Sequence, residues 1–143
     1  MTVKLANSPC SWGVSYPDAP NNPDPIKVFR EIAEAGYGFS ELGPYGYLKP
    51  DPQEILDFTE NLNLKIIGSF IFDNIHIESE QQRIKKTLSK SCALLEKINS
   101  KLIVVIDHIT KERMETSGNP ALSVSLSNND YKKMVSFLNE IAN

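Results

Sequence analysis

Almost nothing in this chain favours nucleic acid, a membrane or a disulfide framework. Lysine and arginine number 15 against 18 acidic residues, for a net charge of −3. No basic stripe is visible: Lys85-Lys86 and Lys132-Lys133 are isolated doublets that read as solvated helix faces. Nucleic acid is therefore not expected as a partner. The longest apolar run, Leu102 to Ile106, is far too short to span a bilayer. The first residues lack the apolar stretch of a secretory leader, so the expected location is the cytoplasm. Only two cysteines occur, Cys10 and Cys92, too few for a disulfide framework or a zinc motif. Cys10 stands in a strand-like run and Cys92 in a helical one, and both are expected to be buried thiols. A glycine-rich phosphate loop of the P-loop or dinucleotide type is also missing.

What is present is a regular alternation. Val3 to Cys10 reads as a first strand closed by Pro9. A loop rich in proline follows over Tyr16 to Pro25. Asp24-Pro25 places an N-cap before a proline at the first helical position, and Phe29, Ile32, Ala33 and Gly36 share one face. A strand over Phe39 to Gly43 leads to a second cap, Asp51-Pro52, and a helix carrying Ile55, Phe58 and Leu62. Leu64 to Phe72 is too apolar to have a wet face, as is typical of parallel strands covered on both sides. A long helix spans about Ser79 to Asn99, with Ile84, Leu88, Cys92 and Leu95 inward. Lys101 to Asp107 is the fourth strand, again without polar alternation. A polar loop over His108 to Leu126 precedes a helix capped near Ser127, with Tyr131, Met134, Val135, Leu138 and Ile141 inward. The order predicts an α/β fold of four parallel β-α units with right-handed crossovers. A closed eight-stranded barrel needs about 250 residues, so 143 residues fit either half of one or a small open sheet. The chain stops directly after a helix, where a further strand would begin. The expectation is a single half-barrel over 1–143, truncated before strand five.

One stretch concentrates chemistry. From Gly36 to Leu48 a glycine ends a helix, a short strand delivers Glu41, and Gly43, Pro44, Tyr45, Gly46 and Tyr47 form a rigid loop. A lone charge at the carboxyl end of a strand is how α/β proteins build binding sites. The same residues also suit a plain strand-to-helix turn with Glu41 in solvent.

Asn7-Ser8-Pro9-Cys10-Ser11-Trp12-Gly13 and Glu31-Ile32-Ala33-Glu34-Ala35-Gly36-Tyr37, running into Glu41-Leu42-Gly43-Pro44-Tyr45-Gly46-Tyr47-Leu48, carry a resemblance. The chain resembles the amino-terminal half of the xylose-isomerase-like TIM barrel superfamily, which includes sugar phosphate isomerases/epimerases and inosose dehydratases. The resemblance implies the (β/α)4 half of a (β/α)8 barrel. It also implies a divalent metal (Mn, Mg or Co) for the full-length family, whose metal ligands come from strands five to eight. No metal ligand or catalytic carboxylate is carried over, and no cofactor is expected in this fragment. The substrate-facing surface that can be carried over comprises Glu41, Trp12, Phe70, Asp107 and His108.

Glu41 and Trp12 each have a plainer alternative. Glu41 either accepts hydrogen bonds from sugar hydroxyls or holds the Tyr45–Tyr47 loop backbone. Trp12 either walls a sugar's carbon face or fills a gap at the barrel rim. Of the adjacent Asp107 and His108, at most one faces a pocket on an extended strand. His76 reads as a surface or capping histidine. The function implied is metal-assisted proton abstraction next to a carbonyl of a sugar or cyclitol, in an enzyme of which this fragment lacks the metal-binding half. The alternative is a noncatalytic half-barrel that binds sugar or self-associates through its open edges, as a homodimer would.

Overall fold

The computed structural model describes residues 3–142. Four strands, β1 (Ala6–Asn7), β2 (Phe39–Glu41), β3 (Lys65–Asp73) and β4 (Leu102–Asp107), form one all-parallel sheet in the order β1-β2-β3-β4. A 3-10 helix (Pro9–Trp12) and α1 (Pro25–Glu34) follow β1, and α2 (Pro52–Asn61) follows β2. The 20-residue α3 (Glu78–Lys97) follows β3. A short α4 (Lys111–Glu115) and then α5 (Asn128–Ile141) follow β4. Each new strand is added beside its predecessor, so the order never reverses. A doubly wound sheet binds its ligand at such a reversal, and this sheet has none. Stepwise addition in one direction is how a (β/α)8 barrel is built, and the arrangement is consistent with a (β/α)4 half of one.

The helix starts follow from local chemistry. Asp24 accepts the Lys27 N–H at 3.0 Å before Pro25. Asp51 accepts from Gln53 and Glu54 at 3.0 and 3.1 Å before Pro52. Ser127 accepts the Asp130 N–H at 3.1 Å. In each case a side-chain oxygen satisfies a donor that has no partner within the helix.

The chain folds into two compact units, one reaching to Phe72 and including Thr87–Val105, the other comprising Asp73–Lys86 and the residues from Ile106 onward. The first unit holds the larger core, in which Val14, Val28, Phe29 and Ile32 are fully buried beside Leu42, Ile55, Ile66 and Leu95. Phe29 meets Phe58 edge to face with centroids 6.0 Å apart, joining α1 to α2. Burying a side chain of that size contributes about 1.5–3 kcal/mol. Gly68 is needed where β3 meets β4, since a Cβ there would stand 2.6 Å from the Leu102 carbonyl oxygen. In the second unit Ile75, Ile84 and Phe137 are buried. Lys133 Nζ pairs with Glu78 at 2.7 Å, and Lys85 pairs with Glu140, which ties the start of α3 to α5. No helix among the described residues is long and apolar enough to cross a membrane.

Several elements differ from the sequence expectation. The first strand is only two residues long, because Ser8 accepts the Cys10 N–H and, with Pro9, starts the 3-10 helix instead. Cys10 is exposed there, and Cys92 is exposed on α3. Neither is a buried thiol. The buried stripe of α3 runs Ile84, Leu88, Ser91 and Leu95, so Ser91 takes the inward place expected of Cys92. On α5 the inward residues are Met134, Phe137, Leu138 and Ile141, spaced i, i+3, i+4, i+7, while Tyr131 and Val135 face outward. β4 was expected to be covered on both sides. It ends the sheet order, and its alternate residues Leu102, Val104 and Ile106 are exposed.

Candidate functional site

In the first unit, Glu41 closes β2 at an irregularity in the pairing: Ser40 matches Ile66, but Glu41 matches Gly68. Ladder bonding continues past it through the Leu42 N–H, which donates to the Gly68 carbonyl at 2.7 Å. Gly43 then turns the chain at φ +85°, with the Pro9 and Tyr47 side chains so near that a Cβ would lie 3.3 and 3.4 Å from them. Ser69 Oγ donates to the Gly43 carbonyl at 2.6 Å and fixes the turn. The result holds Glu41 half-buried at the carboxyl end of its strand. Its carboxylate makes no hydrogen bond or ion pair among the described residues. The loop beyond is anchored without it, because the Tyr47 hydroxyl donates to the Pro23 carbonyl at 2.9 Å. Burial, helped by the Asp24 charge, pushes the Tyr47 phenol up to about 12.

Two other expected site residues of this unit have different surroundings. The Trp12 indole N–H donates to Glu31 Oε2 at 2.6 Å, and the ring packs on the core, so its donor is engaged by α1. Phe70 is 3% exposed, which leaves little ring surface for a ligand. The accessible ring near the end of β3 is Phe72, paired with Tyr16 at a centroid distance of 5.6 Å. Burial along an all-apolar strand has no sequence signal that separates Phe70 from Phe72.

In the second unit, the strand-end carboxylates Asp73 and Asp107 both organise the loop into α3. Asp107 Oδ1 accepts the Ile75 N–H at 2.9 Å and the His76 N–H at 3.3 Å. The His76 ring nitrogen Nδ1 lies 2.8 Å from the same oxygen and 3.0 Å from Oδ2. Asp73 receives both terminal nitrogens of Arg83 at 2.8 and 2.7 Å, together with the Asn74 N–H at 2.8 Å. Burial pushes the Asp73 carboxyl up, but the Arg83 and Asn74 hydrogen bonds and the charges of Arg83 and His108 outweigh it, and the net shift is downward. The two carboxylates to which it donates hold the Arg83 guanidinium well above its ordinary value. The His108 N–H donates to the Asp73 carbonyl at 2.9 Å, and its side chain is half-buried.

The expected five thus fall into two sets, Glu41, Trp12 and Phe70 in one unit, Asp107 and His108 in the other. Sequence reasoning missed His76 and Asp73 as members of the second set. A carboxylate against Nδ1 fixes the imidazole so that Nδ1–H donates and Nε2 carries the basic lone pair. Metal binding is a poorer match. Among the described residues no group of three or more His, Cys, Asp or Glu side chains is arranged to hold a metal. Asp107 is filled by loop donors and Asp73 by Arg83, so the donor set present does not fit a divalent ion that wants several free oxygens. Comparison of the chain with protein-family models, with curated proteins and with solved structures gives no match.

Proposed function

We propose that these four β-α units act as the substrate-facing, amino-terminal part of a sugar isomerase, sugar epimerase or inosose-dehydratase-like barrel enzyme. What supports the reading is the carboxylate of Glu41, which ends β2 of a sequentially ordered parallel sheet and has no partner among the described residues. An ionised carboxylate in a partly dry position accepts from two adjacent hydroxyls, the pattern a sugar or cyclitol presents. Its part in the reaction is binding and orientation. The proton abstraction next to a carbonyl would belong to residues outside this set, and the donors present do not fit a metal. The test is a titration of the chain with a panel of ketoses and cyclitols, followed by NMR. Saturable binding that weakens about tenfold in Glu41→Ala, with no turnover by the chain alone, is expected. Equal binding by both proteins, or isomerisation by the unassisted chain in metal-supplemented buffer, would overturn it.

A second reading, a noncatalytic self-associating half-barrel, is favoured by the exposed apolar residues of β4. Leu102, Val104 and Ile106 are 58, 43 and 38% exposed. A strand that presents such a row invites a second copy. Sedimentation at rising concentration decides it: a dimer dispersed by Val104→Lys supports self-association, and a monomer throughout sinks it.

A further inference from the structure

We propose that the segment after β4 forms a binding site for the phosphoryl group of a phosphorylated small molecule, centred on Arg113. Two clefts open on this segment, one of about 600 Å³ and one of about 480 Å³. Arg113, Ser123 and Ser125 line both of them. The guanidinium of Arg113 forms no ion pair or side-chain hydrogen bond among the described residues, although its neighbour Lys111 pairs with Glu115 at 3.6 Å. The hydroxyls of Ser123 and Ser125, and that of Ser117 in the larger cleft, likewise have no partner among the described residues. Other polar groups here are already engaged: Thr116 Oγ1 donates to the Glu112 carbonyl at 2.8 Å, and Asn119 Oδ1 accepts the Ala121 N–H at 3.2 Å. What remains on offer is one fixed positive charge and a surplus of donors.

A tetrahedral oxyanion is the complement of that set, since it presents several acceptor oxygens and a guanidinium engages two of them at once. The one carboxylate that lines either cleft is Asp107. Its Oδ1 accepts two loop N–H groups, and both of its oxygens lie within 3.0 Å of the His76 ring nitrogen Nδ1, so its acceptor capacity is engaged by the loop into α3. The smaller cleft also carries Val124, Leu126, Tyr131 and Met134. These give an apolar wall for the carbon skeleton, with the phosphoryl group at the shared edge. Both volumes suit a small metabolite. The inference stands on the second unit alone, and the sugar reading at Glu41 can fail without touching it.

The test is calorimetric titration of the chain with inorganic phosphate and with phenyl phosphate. Saturable binding of both is expected, with phenyl phosphate the tighter because of the apolar wall. Arg113→Ala should weaken both about tenfold or more, Arg113→Lys should recover part of the loss, and Lys111→Ala should leave both within about twofold. Arg113 is exposed, so circular dichroism of the variants should match the parent. No saturable binding by the parent chain, or equal losses in Lys111→Ala and Arg113→Ala, would overturn the site. The first result rules out the ligand class, and the second reveals nonspecific attraction to charge.

Discussion

His76 Nδ1 lies 2.8 Å from Asp107 Oδ1 although 31 residues separate the two in the chain. The same oxygen takes the N–H groups of Ile75 and His76, so one side chain at the end of β4 shapes the entry to α3. Replacing Asp107 by Ala strands those donors in a part-buried site. A loss of about 2 kcal/mol is expected, read from urea unfolding. Asp107→Asn should cost less, since an amide oxygen still accepts. Equal stabilities for parent and Asp107→Ala would show that the loop holds itself.

Asp73 and Arg83 provide a pH test. The folded Asp73 carboxyl is held below its ordinary value, so its contribution is present above the unfolded value and is lost as pH falls through the folded one. Arg83→Met removes the main opposing influence and leaves burial in place. The Asp73 carboxyl should then titrate higher than in the parent, as followed by carbon-detected NMR, and the acid limb of the stability profile should flatten. Arg83 is more than half exposed, so the change in stability at neutral pH should be small. An unmoved Asp73 titration would remove the guanidinium from this account.

Gly68→Ala addresses the junction of β3 and β4. The added methyl would meet the Leu102 carbonyl oxygen at 2.6 Å and the Leu102 Cβ at 2.9 Å. Backbone cannot yield as a side-chain tip does, so a loss of about 3 kcal/mol is expected, at the upper end for overpacking. Thermal unfolding measures it. A variant as stable as the parent would mean that the two strands part freely.

Tyr47 makes the opposite pH prediction. Its phenol is raised from 10.0 to about 12, so the neutral form is favoured in the fold. The contribution is complete below the unfolded value and is lost as pH rises through about 12. An ultraviolet alkaline titration should show a tyrosine step near pH 12, and Tyr47→Phe should abolish it. The substitution also removes the bond to the Pro23 carbonyl, at about 1 kcal/mol.

Legibility followed the range of the interaction. The caps at Asp24, Asp51 and Ser127 could be read because a cap acts over three residues, and β3 because nine consecutive residues are mostly apolar. The strand expected across Cys10 stops at Asn7 for the same local reason, since the Ser8-Pro9 pair is itself a helix start. A count by fours puts Cys92 inward but drifts off a 3.6-residue turn, and Ser91 occupies the buried position. The α4 turn carries a local signal of the same kind: Thr110 accepts the Arg113 N–H at 3.3 Å. The roles of Asp73, His76 and Asp107 had no such signal. They depend on two strand ends meeting a loop, and no periodicity reports which carboxylate a distant backbone N–H will find.

The indole of Trp12, bonded to Glu31, is the only one in the chain. This makes it a built-in optical label for one compact unit, because the other contains no tryptophan. Its emission should follow the detachment of the 3-10 helix from α1, while far-ultraviolet dichroism averages over every helix. Where the two signals diverge during unfolding, the units lose structure at different points. Where they coincide, the chain melts as a single cooperative body.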